Sequence, residues 1–240
     1  MLLIAGLASD SQTWQLVLNG LRARFKVIIF DNRGSGRTKD AGAPIDIDLM
    51  AKDAVMLLDH LGIEDADILG HSMGGYIAQE MAITYPKRVK KLILVSTSTH
   101  TSERNKVLFQ DLIKMYDNAP SYEDFLKEFM VWILTPEYFS DKRKTEKFID
   151  YVLNYPYRQS SDDFKRQVNA YTGYSSLGRV NKILAETLVV TGGKDILITP
   201  EEANLLASSI QIATLKKIPN AAHSIQVEAP DEFVDAVCAF

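Results

Sequence analysis

The feature that most constrains this chain is a glycine-rich turn between a short apolar run and an apolar helical pattern. Residues 66–69 are typical of a buried strand, Gly70-His71-Ser72-Met73-Gly74-Gly75 follows, and residues 76–85 have a helical pattern. A G-x-S-x-G sequence between a strand and a helix is typical of a nucleophile elbow, where a strained turn projects the serine hydroxyl. Glycines let neighbouring backbone approach without Cβ clashes. The pattern predicts that Ser72 is a nucleophile.

Along the rest of the chain, β-rich runs alternate with helical patterns, which favours a mainly parallel sheet with helices on both faces. Most of the runs are continuously apolar, as in buried strands, whereas the last is more polar and is predicted at a sheet edge. The six runs are 2–4, 27–30, 66–69, 92–95, 188–190 and 214–218.

Residues 98–177 interrupt this alternation with helical, aromatic-rich sequence that contains no convincing strand. We interpret them as a helical cap over the carboxyl ends of the strands, where α/β sheets bind ligands. The core is then formed by residues 1–97 and 178–240. Most aromatic side chains of the insertion are expected to pack in a small core of its own.

A serine hydroxyl becomes a good nucleophile only when a base removes its proton and a third group orients that base. Among four histidines, His223 follows the last predicted strand and is the best candidate base. His71 adjoins the serine but should point elsewhere, His60 is predicted at a helix end, and His100 opens the insertion.

Asp195 is the candidate acid, because it follows the strand at 188–190 and a pair of glycines. The alternative position, after Val95, offers only serines and threonines before Glu103. The chain order of serine, aspartate and histidine is the one expected when the serine lies on an elbow. Acyl transfer also needs donors for an oxyanion, and we assign the backbone N–H groups of Leu7 and Met73.

With these residues in place, the chain resembles the α/β-hydrolase superfamily. It is most similar to small bacterial esterases and lactonases of the 3-oxoadipate enol-lactonase type. The stretches that carry the resemblance are 4–7 with Trp14 downstream, 30–37, the elbow, 192–195 and 222–223. The resemblance implies an α/β-hydrolase fold with a helical cap and the catalytic residues Ser72, Asp195 and His223.

Two departures from the family pattern concern the N-terminal side of the site. Ala5 stands where family members usually have histidine, so hydrogen bonding around the oxyanion turn is expected to differ. The antiparallel strands that normally precede the oxyanion strand are apparently missing, since Met1 starts almost on that strand; either they are absent or the true start lies upstream. A bare apolar sheet edge invites self-association, so a homo-oligomer is predicted.

The leading functional hypothesis is hydrolysis of a carboxylic ester or lactone through an acyl-enzyme on Ser72. Carbon–carbon bond hydrolysis and cofactor-free perhydrolysis use the same residues and stay open as alternatives. A small-molecule receptor on a hydrolase scaffold also stays open, because a fold does not fix a function. The serine excludes the branches of the superfamily that carry aspartate at the elbow.

The composition of the chain limits the classes of partner that can be expected for it. A net charge of −4 without a basic stripe argues against nucleic-acid binding, and no apolar run is long enough to span a bilayer. With one cysteine and no signal-peptide pattern, a cytoplasmic enzyme is expected. No metal or cofactor motif is apparent, and the glycine-rich segment 33–37 is interpreted as a structural turn rather than a phosphate loop.

The predicted pocket is apolar and suits a small, moderately hydrophobic substrate. Beside Leu7 and Met73, its predicted substrate-binding residues are Met130, Trp132, Leu134 and Leu197. An arginine that reached the cavity would favour a substrate with a carboxylate, and the candidates are Arg104, Arg158 and Arg166.

Overall fold

A computed structural model of the protein describes residues 1–40 and 42–240. Its centre is a six-stranded sheet in the order β2-β1-β3-β4-β5-β6, in which all the neighbouring strands run parallel. The strands are β1 (Leu2–Ile4), β2 (Ile28–Ile29), β3 (Ala66–His71), β4 (Val89–Val95), β5 (Glu186–Gly192) and β6 (Ala213–Ile218). The predicted parallel sheet is therefore confirmed.

The order of the strands reverses at β1, because β2 lies on one side of it and β3 on the other. A crevice forms at such a switch point, outside the carboxyl ends of the strands, and it is the usual ligand site of an open α/β sheet. The turn after β1 and the elbow after β3 both open into this crevice.

Helices cover both faces of the sheet, and five consecutive helices, α4 to α8, stand between β4 and β5. The helices are α1 (Gln15–Arg22), α2 (Ile47–His60), α3 (Met73–Thr84), α4 (Glu103–Asn118), α5 (Tyr122–Ile133), α6 (Pro136–Ser140), α7 (Lys142–Leu153), α8 (Ser161–Gly173), α9 (Pro200–Ser209), α10 (Ile225–Glu228) and α11 (Pro230–Ala239). The helical cap is found at the predicted place in the chain; its boundary at residues 98–177 stays a prediction.

The two faces of the sheet carry separate apolar clusters, since successive side chains of a strand point to opposite faces. Leu2 and Ile4 of β1 pack in the larger cluster with α2 and α3. Leu3, between them, packs in the second cluster with α1 and α11. Continuous apolar strands thus reflect burial on both faces.

The expectation that the cap aromatics mostly form a core of their own is wrong for several of them. Phe109, Phe164 and Tyr171 belong to the cluster that contains the core helix α3. Tyr171 stacks on Tyr76 of α3, with ring centroids 5.1 Å apart and an interplanar angle of 14°. A separate cap cluster exists, but it is made mainly of aliphatic residues of α5 to α7. The cap is therefore continuous with the core.

The two edges of the sheet differ in length. Strand β6 is mostly exposed and lies at an edge, as its polar sequence predicts. The opposite edge is β2, which has only two residues, both half-buried. Self-association through this edge stays a prediction.

Gly74 lies where α3 comes into contact with β1, and this contact provides a test of the packing. A Cβ on Gly74 would lie 2.1 Å from the carbonyl oxygen of Ile4, a backbone atom that cannot rotate away. We expect Gly74→Ala to lower the free energy of unfolding by about 2–3 kcal/mol, measured by urea denaturation.

Gly173→Ala is the matched control, because Gly173 ends α8 and a Cβ there would have nothing within 4 Å. This variant should stay within about 0.5–1 kcal/mol of the parent. Equal stability of the two variants would contradict the close approach of α3 to β1.

Candidate active site

Ser72 occupies a strained position between β3 and α3. Its backbone has φ +54° and ψ −119°, a conformation that costs an ordinary residue about 1–3 kcal/mol. The surroundings hold it there: Ser72 N–H donates to the Val95 carbonyl at 2.9 Å, and Thr97 Oγ1 donates to the Ser72 carbonyl at 2.9 Å. The elbow geometry expected from the sequence is present, and the serine lies at the carboxyl end of the sheet.

His223 and Asp195 form a buried pair, each with 3% of its surface exposed. His223 Nδ1 lies 2.9 Å from Asp195 Oδ2. The second carboxylate oxygen accepts hydrogen bonds from the backbone N–H groups of Leu197 and Ile198, both at 2.9 Å. Since a carboxylate only accepts, the proton of the imidazole stays on Nδ1 and Nε2 is left as a base.

Ser72 and His223 line the same cavity. Within residues 1–40 and 42–240, no direct hydrogen bond joins the Ser72 hydroxyl to the His223 ring. Catalytic hydrogen bonds are often long in ligand-free enzymes and shorten when substrate binds. The structure thus brings together all three side chains that the sequence analysis selected from distant segments.

Glu228 fixes the loop that carries His223, and the sequence analysis did not identify it. Its carboxylate accepts from the backbone N–H of Ala222 at 2.8 Å and, from Thr135 of the cap, the backbone N–H at 2.8 Å and the hydroxyl at 2.6 Å. A carboxylate five residues after a candidate base, at the end of a short helix, was the available signal. Glu228 thus connects the loop of His223 to the cap.

The oxyanion side of the site consists of backbone atoms. Among the residues that the structure describes, none accepts a hydrogen bond from the N–H of Leu7 or of Met73. The turn containing Leu7 lies against the serine, because a Cβ on Gly6 would come within 3.1 Å of Ser72 Cβ. Within the described residues, two backbone donors without a partner thus belong to segments next to Ser72, as the sequence analysis expected for Leu7 and Met73.

Gln167 of the cap helix α8 braces that turn and is fully buried. Its Oε1 accepts from Ala8 N–H at 3.4 Å, while its Nε2 donates to the Arg33 carbonyl at 3.0 Å and to Ser35 Oγ at 2.8 Å. Through Gln167, segment 33–37 is linked to the turn after β1. This contact agrees with the interpretation of the segment as a structural turn.

His71 is a buried neutral histidine. Its Nε2 lies 3.0 Å from the His223 carbonyl, so Nε2 carries the proton and donates it. Nδ1 is buried and has no partner among the described residues. Burial, together with the nearby His223, lowers the pKa of His71 to about 3. His71 supports the loop of the base and is not itself placed to act as one.

The other two histidines lie elsewhere. His60 is exposed at the end of α2. His100 forms an isolated bridge with Ser175 at the base of the cap, and its Nδ1 lies 3.0 Å from Thr99 Oγ1.

The cavity differs from the predicted pocket. Leu7 and Leu197 line it as expected, but Met130, Trp132 and Leu134 do not. Met130 and Leu134 pack instead in the separate cap cluster, and the Met73 side chain packs in the main core. The complete lining is Leu7, Ser9, Thr13, His71, Ser72, Phe109, Phe129, Ile133, Leu197, His223, Ser224 and Gln226.

The phase of helix α5 explains this correction. Residues four apart share a helix face, so Phe129 and Ile133 both line the cavity. Met130 is one residue further on and faces the cap cluster, where Leu126 packs beside it. Sequence hydrophobicity predicted an apolar wall on this helix but not which of its faces supplies it.

None of the three candidate arginines belongs to the described lining of the cavity. Arg104 donates to the carbonyls of Ile196 and Leu197, at 2.6 and 3.0 Å. Arg158 lies 4.4 Å from the ring centroid of Tyr122. Arg166 pairs with Asp40 at 2.9 Å.

The described lining therefore contains neither Lys nor Arg and neither Asp nor Glu. The cavity is small, about 40 Å³.

Among the described residues, no group of three His, Cys, Asp or Glu side chains is placed to hold a metal ion. No helix in the described part of the chain is long and apolar enough to cross a membrane.

The buried neutral His71 predicts a pH dependence of stability. Below pH 6.5 the unfolded chain binds a proton at this histidine while the folded chain does not, so stability falls as the pH falls from 6.5 towards 3. Between pH 7.5 and pH 5, this effect amounts to about 2 kcal/mol. We expect His71→Gln to lose that much less stability over this range than the parent, measured by urea denaturation.

His60→Gln is the control, since His60 is exposed, and it should keep the pH dependence of the parent. An unchanged pH dependence in His71→Gln would show that His71 can be protonated in the folded protein.

Comparison with known proteins identifies the family and the fold of the chain. The family model of the alpha/beta hydrolase fold matches residues 1–230. "Putative carbamate hydrolase RutD" from Azorhizobium caulinodans is 26% identical over 242 residues, which cover 100% of this chain and 90% of the relative. The 3-oxoadipate enol-lactonase 2 of Acinetobacter baylyi is 26% identical over 232 residues, which cover 96% of this chain and 84% of the relative.

Among solved structures, the enol-lactonase from Burkholderia xenovorans LB400 has a TM-score of 0.90 at 20% identity, covering 99% of this chain and 89% of its own. At that identity the likeness shows the fold alone. The resemblance inferred from the elbow and its partner residues is confirmed, since the family model spans nearly the whole chain. The chain belongs to the α/β-hydrolase family.

Proposed function

We propose that the protein is a serine hydrolase that cleaves a small, neutral carboxylic ester or lactone through an acyl-enzyme on Ser72. The observation that carries the proposal is the buried Asp195–His223 pair, 2.9 Å apart, whose His223 lines the same cavity as the strained Ser72. Unpaired N–H groups of Leu7 and Met73 complete the set of groups that acyl transfer requires.

The proposed reaction begins with attack of Ser72 Oγ on the carbonyl carbon, as the hydroxyl proton passes to His223 Nε2. Asp195 stabilises the resulting imidazolium, and the N–H groups of Leu7 and Met73 donate to the carbonyl oxygen as it becomes negative. Collapse breaks the ester C–O bond, and Nε2–H protonates the leaving alkoxide. Water then attacks the acyl carbon as His223 Nε2 takes its proton. Collapse breaks the bond between the acyl carbon and Ser72 Oγ, Nε2–H returns the proton to Oγ, and the acid leaves.

The lining of the cavity supports a neutral substrate. Phe109, Phe129, Ile133 and Leu197 contribute apolar surface, and the described lining includes no fixed charge to pair with a carboxylate or an ammonium. Burying an unpaired charge there would be costly.

A carbamate is a second candidate substrate, favoured by the relatives that carry the name of a carbamate hydrolase. It would react at the same carbonyl group and leave a carbamoyl group on Ser72.

We further propose that the protein acts on a free small molecule in the cytoplasm, without a nucleic-acid or membrane partner.

Loss of the nucleophile tests the proposal directly. Ser72→Ala should abolish hydrolysis of p-nitrophenyl acetate and covalent labelling by a fluorophosphonate, because the attacking oxygen is gone. Ser208→Ala, on the exposed face of α9, is the control and should retain both. Peptide mass spectrometry should locate the label at Ser72; a label on another residue of the active protein would overturn the assignment.

Asp195→Asn tests how the base is oriented. Asparagine can still accept from the backbone N–H groups of Leu197 and Ile198, but its NH2 group would face Nδ1 and force the imidazole proton onto Nε2. We expect kcat to fall by about 10⁴-fold with little change in KM. Asp231→Asn, at an exposed position of α11, is the matched control. A loss of less than tenfold would show that Asp195 does not orient the base.

A further inference from the structure

A glutamine in the wall of the cavity has one end of its side-chain amide without a hydrogen-bond partner among the described residues. Gln226 follows the His223 loop on helix α10, lines the cavity, and has 1% of its surface exposed. Its Nε2 donates to the hydroxyl oxygen of Thr13 at 3.1 Å. Its Oε1 is buried and has no partner among the described residues. An unpaired buried carbonyl of this kind is costly for a folded protein.

Two other fully buried glutamines show what a purely structural role looks like. Gln79 donates to the Ser98 carbonyl at 2.9 Å and accepts from Ser176 Oγ at 2.7 Å. Gln167 likewise uses both ends of its amide. Both side chains link separate segments and have both the nitrogen and the oxygen of the amide hydrogen-bonded. Of these three glutamines, Gln226 is the one that lines the cavity, and it is also the one whose amide oxygen has no partner among the described residues.

Thr13 supplies a hydrogen-bond donor beside the unpaired amide oxygen of Gln226. It also lines the cavity, on the short 3-10 turn Ser11–Trp14. Its hydroxyl oxygen accepts from Gln226, and no described residue accepts the hydroxyl proton. The pair thus offers one acceptor, Gln226 Oε1, and one donor, Thr13 O–H. Rotating the amide by 180° exchanges these roles but preserves one donor and one acceptor.

We propose that Thr13 and Gln226 form a specificity subsite for a neutral substrate group that both donates and accepts a hydrogen bond, namely a hydroxyl or a primary amide or carbamate NH2 group. The inference rests on the proposed function and adds the substrate class to it. A buried amide and a hydroxyl have no net charge, so they match such a group better than a carboxylate or an ammonium. The same cavity rejects an apolar isostere, which would leave both protein groups unpaired.

Two matched pairs of esters test the subsite. Methyl glycolate and methyl propionate differ by a hydroxyl against a methyl group on the acyl side; 2-hydroxyethyl acetate and propyl acetate differ in the same way on the alcohol side. We expect the parent protein to favour the hydroxylated ester by about tenfold or more in kcat/KM in at least one pair, measured by pH-stat titration. Gln226→Met keeps the volume of the side chain and removes its hydrogen bonds.

Gln226→Met should reduce the preference for the hydroxylated ester to under about threefold. The loss should fall on the hydroxylated ester, while the apolar ester keeps its kcat/KM. Thr13→Val should act in the same direction and serves as the test if Gln226→Met does not fold by circular dichroism. Gln211→Met, at an exposed position, is the control and should keep the preference of the parent.

Absence of a preference in both pairs, or an equal loss on both members in Gln226→Met, would overturn the subsite. Either result leaves the proposed function intact as long as Ser72 is labelled and Ser72→Ala is inactive. Conversely, labelling at another residue would remove the proposed function whatever the ester preference.

Discussion

The site depends on the close contact of three backbone segments around Ser72. The end of β1, the elbow after β3 and the first turn of α3 approach so closely that a single added Cβ at Gly70 or Gly74 would meet a backbone carbonyl within 2.2 Å. This contact holds the serine at positive φ and sets the turn of Leu7 against it. The proposed nucleophile and oxyanion donors are therefore positioned by the packing of a strand end against a helix, and elements of this kind hold a site more precisely than loops do.

Buried hydrogen bonds link Asp195 and His223 to the segments around Ser72. Asp195 is fixed by two backbone N–H groups and in turn fixes His223. His71 donates to the carbonyl of His223 from the elbow itself. Each contact satisfies a group that would be costly to bury alone. The absence of the family histidine at Ala5 leaves this arrangement complete, because the proposed oxyanion donors belong to the backbone.

Local patterns predicted the parts of the molecule that local chemistry controls. The strands, the elbow and the positions of Asp195 and His223 follow from apolar runs, glycines and strand ends, which are written in neighbouring residues. The cavity wall does not follow in this way, because a rotation of α5 by one residue replaces Met130 with Phe129. Gln226 was missed for another reason: its partner Thr13 lies 213 residues away in the sequence, and it has no sequence signature of its own. Glu228, whose one signal was its position five residues after His223, binds Thr135 93 residues away.

The hydrogen bonds from the cap have a consequence for how the protein can work. Gln167 reaches the turn of Leu7 from one side, and Thr135 reaches the loop of His223 through Glu228 from the other. A cap displacement wide enough to admit a bulky molecule would break both connections and free the segments that carry Leu7 and His223. The cap would then limit substrate size and position the proposed catalytic residues at the same time. A molecule too large for the closed cavity would displace the groups needed to cleave it.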